Sequence, residues 1–82
     1  MDQTILATVL DTMREIFLNK DMSPPALSAE SPLDNTLGLD SMDFAELVVR
    51  LEDKFGFDPF ARGTPPRLQK IGDLVEFYQM RP

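Results

Sequence analysis

"DSMDFAELVVRLEDKFG", residues 40–56, decides the fold of this 82-residue chain. At about 100° per residue, Phe44, Leu47, Val48, Leu51 and Phe55 fall in one stripe, the pattern of an amphipathic helix turned toward a core. Asp40 or Ser41 stands where a helix takes its N-cap, Asp43 adds negative charge to the first turn, and Gly56 stands where a left-handed residue ends it. The other side is not purely polar. Met42, Ala45 and Val49, spaced i, i+3 and i+7, form a second apolar stripe, with Glu46 and Asp53 beside it and Asp43 and Arg50 further round. Two readings of that stripe are open. It is a solvated face with incidental apolar residues, or a docking surface whose apolar atoms give affinity while carboxylates steer a basic partner.

On the N-terminal side, Leu6, Val9, Leu10, Met13, Ile16 and Phe17 have the spacing of one helical face. Asp2 or Thr4 opens this first helix, and Asn19 to Asp21, followed by Ser23, Pro24 and Pro25, closes it. On the C-terminal side, Ile71, Leu74, Val75 and Tyr78 predict a last helix, capped near Gly72 and Asp73. The connection over residues 20–40 is long for so small a domain, so Leu27, Leu33, Leu37 and Leu39 are expected to pack on the helices. Residues 57–70 contain Pro59, Gly63, Pro65 and Pro66, which forbid a long helix and permit a single turn. No stretch alternates as a strand does, and nothing repeats. The expectation is one all-α domain spanning residues 1–82, with three main helices and a short or degenerate helix before the last.

Composition excludes several kinds of chemistry. There is no cysteine and no histidine, so disulfides, thiolate or imidazole metal sites, and imidazole base catalysis are absent. The acidic loop at residues 34–38 lacks the alternating oxygen ligands of a calcium-binding loop. Net charge is −6, and residues 30–58 alone carry eight acids against two bases, whereas residues 61–70 carry three bases and no acid. Such a chain repels nucleic-acid phosphate and attracts basic protein surfaces. No apolar run approaches membrane-spanning length, and Asp2 replaces the basic start of a secretion signal. A cytoplasmic, monomeric protein is expected.

Ser41 has three readings. As an N-cap it needs no further role. As a nucleophile it lacks histidine and any nearby lysine to activate it. As a modification site, its hydroxyl at a helix N-terminus would give a phosphate ester the helix dipole and free N–H groups.

The segment "LGLDSMDFAELVVRLEDKFGFD", residues 37–58, resembles the central segment of acyl carrier proteins and peptidyl carrier domains. In that family an Asp-Ser-Leu or Asp-Ser-Ile motif presents its serine for 4′-phosphopantetheine at the start of the second helix. Asp40, Ser41, Asp43, Glu46, Leu47, Val48, Leu51, Glu52 and Phe55 match the family's pattern, and Gly38 matches its turn glycine. The resemblance implies a four-helix carrier of acyl or aminoacyl thioesters, with no catalysis of its own. Ser41 would take the group from coenzyme A, with Asp40 as its motif neighbour. A phosphopantetheinyl transferase, an acyl- or aminoacyl-activating ligase and a downstream synthase or transferase would read Met42, Asp43, Ala45, Glu46, Val49, Arg50 and Asp53. The alternative is a small helical interaction module in which Ser41 is a cap or a phosphorylation site.

Four departures from the family carry expectations. Met42 replaces the commoner Leu or Ile with similar bulk. Phe44 stands where many fatty-acid carriers have a smaller core residue, so it is expected to fill interior space and favour a short, polar or aminoacyl cargo. Arg50 puts positive charge on a face usually neutral or acidic, which points to a dedicated partner. The basic, Pro- and Gly-rich residues 57–70 replace an acidic third helix, which points to a specialised stand-alone carrier.

Overall fold

The computed structural model describes residues 1–62 and 67–80. Three α-helices carry the architecture: α1 (Gln3–Asn19), α2 (Ser41–Phe55) and α3 (Ile71–Gln79). Two 3-10 turns, Asn35–Leu37 and Pro59–Arg62, punctuate the connections, and no strand occurs among the described residues. The turn at Pro59–Arg62 is the degenerate short helix expected there. The expected Gly63, Pro65 and Pro66 breakers lie outside the described residues. None of the described helices is long and apolar enough to cross a membrane.

Asp2 caps α1 because its side chain reaches the first free amides: Oδ1 accepts from the N–H of Thr4 at 2.9 Å and of Ile5 at 3.1 Å. The Asp2 N–H in turn donates to Gln79 Oε1 at 2.7 Å, tying the start of α1 to the end of α3. The inner face of α1 buries Ile5, Val9, Met13, Ile16 and Phe17, with Leu6 and Leu10 half-buried at its margins. Thr12 is buried with them at no cost in unpaired polarity. Its hydroxyl donates to Thr8 O at 2.6 Å and accepts from Lys54 Nζ at 2.9 Å.

The long connection is ordered by the backbone of the α3 entrance. Leu33 N–H donates to Gln69 O at 2.9 Å, Ile71 N–H to Ser31 O at 2.9 Å, and Gly72 N–H to Ala29 O at 2.8 Å. The carbonyls at Ser31 and Ala29 thus satisfy amides that a helix N-terminus leaves unpaired. Gly72 allows this approach, since a Cβ there would meet Ala29 O at 3.1 Å. The leucines of the connection pack inward as expected, Leu27 and Leu39 buried and Leu33 and Leu37 against the core. The cap of α3 differs from expectation. The helix begins at Ile71, and Asp73 reaches back from its first turn to accept from the N–H of Gln69 and Lys70 at 2.9 and 3.1 Å.

Leu47 and Leu51 carry α2 into the core, and Ile71, Leu74, Val75 and Tyr78 carry α3. Burying each large apolar side chain contributes roughly 1.5–3 kcal/mol. One end of the core is aromatic: Tyr78 lies 5.2 Å from Phe55, 5.9 Å from Phe57 and 6.4 Å from Phe60, centroid to centroid. Gly56, at φ 80°, ends α2 and turns the chain into this cluster.

Candidate functional site

The start of α2 is fixed from three directions. Upstream, Asp34 caps the Asn35–Leu37 turn, accepting from the Thr36 N–H at 2.9 Å and from the Thr36 hydroxyl. Gly38 leaves that turn at φ 97°, a left-handed conformation that L side chains rarely adopt. Leu39 then drops into the core, 1% exposed, and anchors the chain one residue before the cap.

At the cap, Asp40 and Asp43 satisfy each other's backbone. Asp40 Oδ1 accepts from the Asp43 N–H at 2.9 Å, and Asp43 Oδ2 accepts from the Asp40 N–H at 3.0 Å. From the side, Lys20, the residue that ends α1, donates its Nζ to the same Asp43 Oδ2. The Lys20 hydrogen bond, followed by the Asp40 N–H, holds the Asp43 carboxyl below the usual carboxylate range. Its reciprocal contact with Asp43 holds the Lys20 ammonium above its ordinary value.

Asp40, not Ser41, is therefore the N-cap. Ser41 is the first helical residue, it is exposed, and among the described residues its hydroxyl has no hydrogen-bond partner. The N–H groups of Ser41 and Met42, at the head of the helix, have no acceptor within it. Ser41 thus combines an accessible hydroxyl with an amide-rich setting that favours negative charge.

The outward stripe of α2 is open to solvent, with Met42 80% and Val49 59% exposed and Ala45 exposed between them. Glu46 and Asp53 are exposed beside it. Two other residues assigned to this surface from sequence stand differently. Asp43 has its carboxylate engaged by Lys20 and the cap, and Arg50 turns toward α1. There Arg50 Nη1 meets Glu15 Oε1 at 3.1 Å, and its Nη2 meets Glu46 Oε2 at 2.9 Å. Lys54 Nζ joins the same Glu15 at 2.8 Å, and that contact is the main cause of the lowered Glu15 pKa. Arg50 therefore braces the two helices and is not an unpaired charge.

Phe44 also differs from expectation. It is half-buried and lines an apolar hollow of about 220 Å³ instead of filling the interior. Leu33, Leu47, Val48, Phe60, Leu68 and Leu74 complete the lining. Sequence reasoning missed Lys20, Phe60 and Leu68 as parts of this region. Lys20 meets Asp43 across 23 residues of sequence, and Phe60 and Leu68 come from a segment with no periodicity.

The family model for the phosphopantetheine attachment site matches residues 4–62. An acyl carrier protein of Phenylobacterium zucineum is 30% identical over 77 residues, 93% of this chain and 96% of that protein. One from Campylobacter hominis is 31% identical over 72 residues, 87% of this chain and 90% of that protein. Among solved structures, MacpD of Pseudomonas fluorescens, an acyl carrier protein involved in mupirocin biosynthesis, is similar with a TM-score of 0.83 and 26% identity. That similarity covers 96% of this chain and 71% of MacpD.

Proposed function

Because the chain belongs to the phosphopantetheine-attachment family of acyl carrier proteins, we propose that Ser41 is its attachment residue and that it serves a specialised biosynthetic pathway as a stand-alone carrier. The family's prosthetic group is 4′-phosphopantetheine, covalently attached, and acyl carrier proteins are carriers, not catalysts. When bound, the group supplies a thiol that holds acyl or aminoacyl cargo as a thioester.

The observation that carries the assignment is the division of labour at the start of α2. Asp40 takes the cap, which leaves the Ser41 hydroxyl exposed and unpartnered among the described residues. The adjoining amides and the helix dipole suit a phosphodiester, while Asp40, Asp43 and Lys20 keep the backbone beneath it in place. In the interaction-module reading Ser41 is a cap or a phosphorylation site; Asp40 as the N-cap argues against the first, and the family match favours phosphopantetheine over the second.

Partner enzymes, beginning with a phosphopantetheinyl transferase, would dock on Met42, Ala45 and Val49, with Glu46 and Asp53 as steering charges. Asp43 and Arg50 serve that surface by fixing α2 against α1. An activating ligase and a downstream synthase or transferase would use the same face in turn, and the carrier would act as a cytoplasmic monomer. The apolar hollow supports an acyl cargo of intermediate length over a short polar one. A cavity of about 150 Å³ holds benzene, so one of this size has room for about eight or nine carbons. The role of MacpD in mupirocin biosynthesis supports a specialised over a housekeeping pathway.

Intact mass after incubation with coenzyme A and a phosphopantetheinyl transferase tests the attachment. One pantetheine-phosphate adduct is expected on the wild type and none on Ser41→Ala. An adduct that persists in Ser41→Ala would refute the assignment.

A further inference from the structure

Tyr78 is fully buried, and its hydroxyl is a buried side-chain polar atom with no hydrogen-bond partner among the described residues. Removing a hydroxyl from water without replacing its hydrogen bond is unfavourable, and buried groups left in that state call for an explanation. Neither the attachment of a prosthetic group at Ser41 nor the packing of α3 uses this hydroxyl. Phenylalanine would fill the same ring position with no unpaired atom.

The position of Tyr78 supplies an explanation. The apolar hollow begins at Phe44, one helical turn along α2 from Ser41, and extends to Leu74 and Phe60. Tyr78 is one turn beyond Leu74 on α3, about 6 Å further along the helix. Phe60 borders both, lining the hollow on one side and meeting the Tyr78 ring edge-on at 6.4 Å on the other. It stands on the short Pro59–Arg62 turn, is half-buried, and is the one residue that both lines the hollow and makes a ring contact with Tyr78 among the described residues. Burial above all, and then the charges of Asp58 and Glu52, push the phenol pKa upward, so the hydroxyl keeps its proton and stays a donor.

We propose that Tyr78 determines cargo specificity, its hydroxyl donating a hydrogen bond to an oxo oxygen near the distal end of an acyl chain that fills the hollow and displaces the Phe60 ring. The proposal rests on the carrier reading above and names the class of cargo. The oxygen must be distal, because the Tyr78 ring packs on Phe55, at the far end of α2 from Ser41. An oxo group suits the site better than a hydroxyl. A ketone oxygen only accepts, whereas a hydroxyl would bring a second donor into the ring of Phe55, Phe57 and Phe60.

The test loads the wild type and Tyr78→Phe with octanoyl- or 7-oxooctanoyl-phosphopantetheine from the matching coenzyme A thioesters, with intact mass confirming each adduct. Thioester cleavage by hydroxylamine then reports how well each chain is sheltered. In the wild type the 7-oxooctanoyl form should be cleaved roughly fivefold more slowly than the octanoyl form, as one buried hydrogen bond allows. In Tyr78→Phe the order should reverse, because the ketone oxygen is then the unpaired group. Unloaded Tyr78→Phe should melt no lower than the wild type. Equal ratios in the two proteins, or a marked loss of melting temperature in the unloaded variant, would overturn the proposal. Failure of any form to acquire an adduct would instead overturn the carrier reading, and the proposal with it.

Discussion

Ser41 owes its availability to the residue before it. Asp40 takes the capping hydrogen bond that a serine in this setting could take, and Leu39 fixes the backbone from the core side. Replacing Asp40 by alanine should therefore destabilise the fold by about 1 kcal/mol, the usual worth of an N-cap, measured as a shifted urea midpoint with an unchanged slope. The sequence leaves the choice between Asp40 and Ser41 open, but a cap at one of them was legible there because capping is local. Lys20 was not. Its partner is distant in sequence, and only the packing of α1 on α2 brings the two charges together. The same physics hides the unpaired hydroxyl of Tyr78. Periodicity says that residue 78 faces inward, but nothing in the sequence says what its oxygen meets.

The second helix separates stability from recognition on two sides of one cylinder. Leu51 is fully buried, so Leu51→Ala should cost about 2–5 kcal/mol, through lost burial and the cavity left behind. On the outward face, Met42→Glu and Val49→Glu should shift stability by no more than about 0.5 kcal/mol, since both side chains already stand in solvent. The same two variants should slow modification by the transferase, so a pair of measurements, thermal melting and adduct formation, resolves the two sides. A large drop in melting temperature for either would place the stripe in the core. The sequence revealed both stripes, because a 3.6-residue repeat orders side chains around a helix whatever its neighbours are. It did not reveal that Arg50 would be claimed by Glu15, or that Phe44 would line a hollow. Those outcomes depend on what α1 and the Pro59–Arg62 turn bring alongside. Nor did it show that α3 would receive carbonyls at Ala29 and Ser31, which come from a connection with no periodicity to read.

Across the whole molecule, carboxylates tie the elements together and make the fold sensitive to acid. Asp43 is held low by Lys20, Asp73 by the N–H groups of Gln69 and Lys70, and Glu15 by Lys54. Each releases its proton more readily folded than unfolded, so each stabilises the fold above its ordinary carboxylate pKa. That contribution is lost as pH falls through the lowered value. The melting temperature should accordingly fall as the pH drops from about 5 toward 2, and Asp43→Asn should flatten part of that decline. A profile unchanged by Asp43→Asn would remove the Lys20 pairing as a contributor. The same ion pair also orients the molecule. Lys20 marks the end of α1 that meets the start of α2, while Asp2, at the other end, touches Gln79. Those ends of α1 are about 25 Å apart, given 1.5 Å per helical residue. A fluorescent reporter or a second carrier joined near the start of α1 or the end of α3 would sit at the pole away from Ser41, and fusion there should leave the serine open to its enzymes.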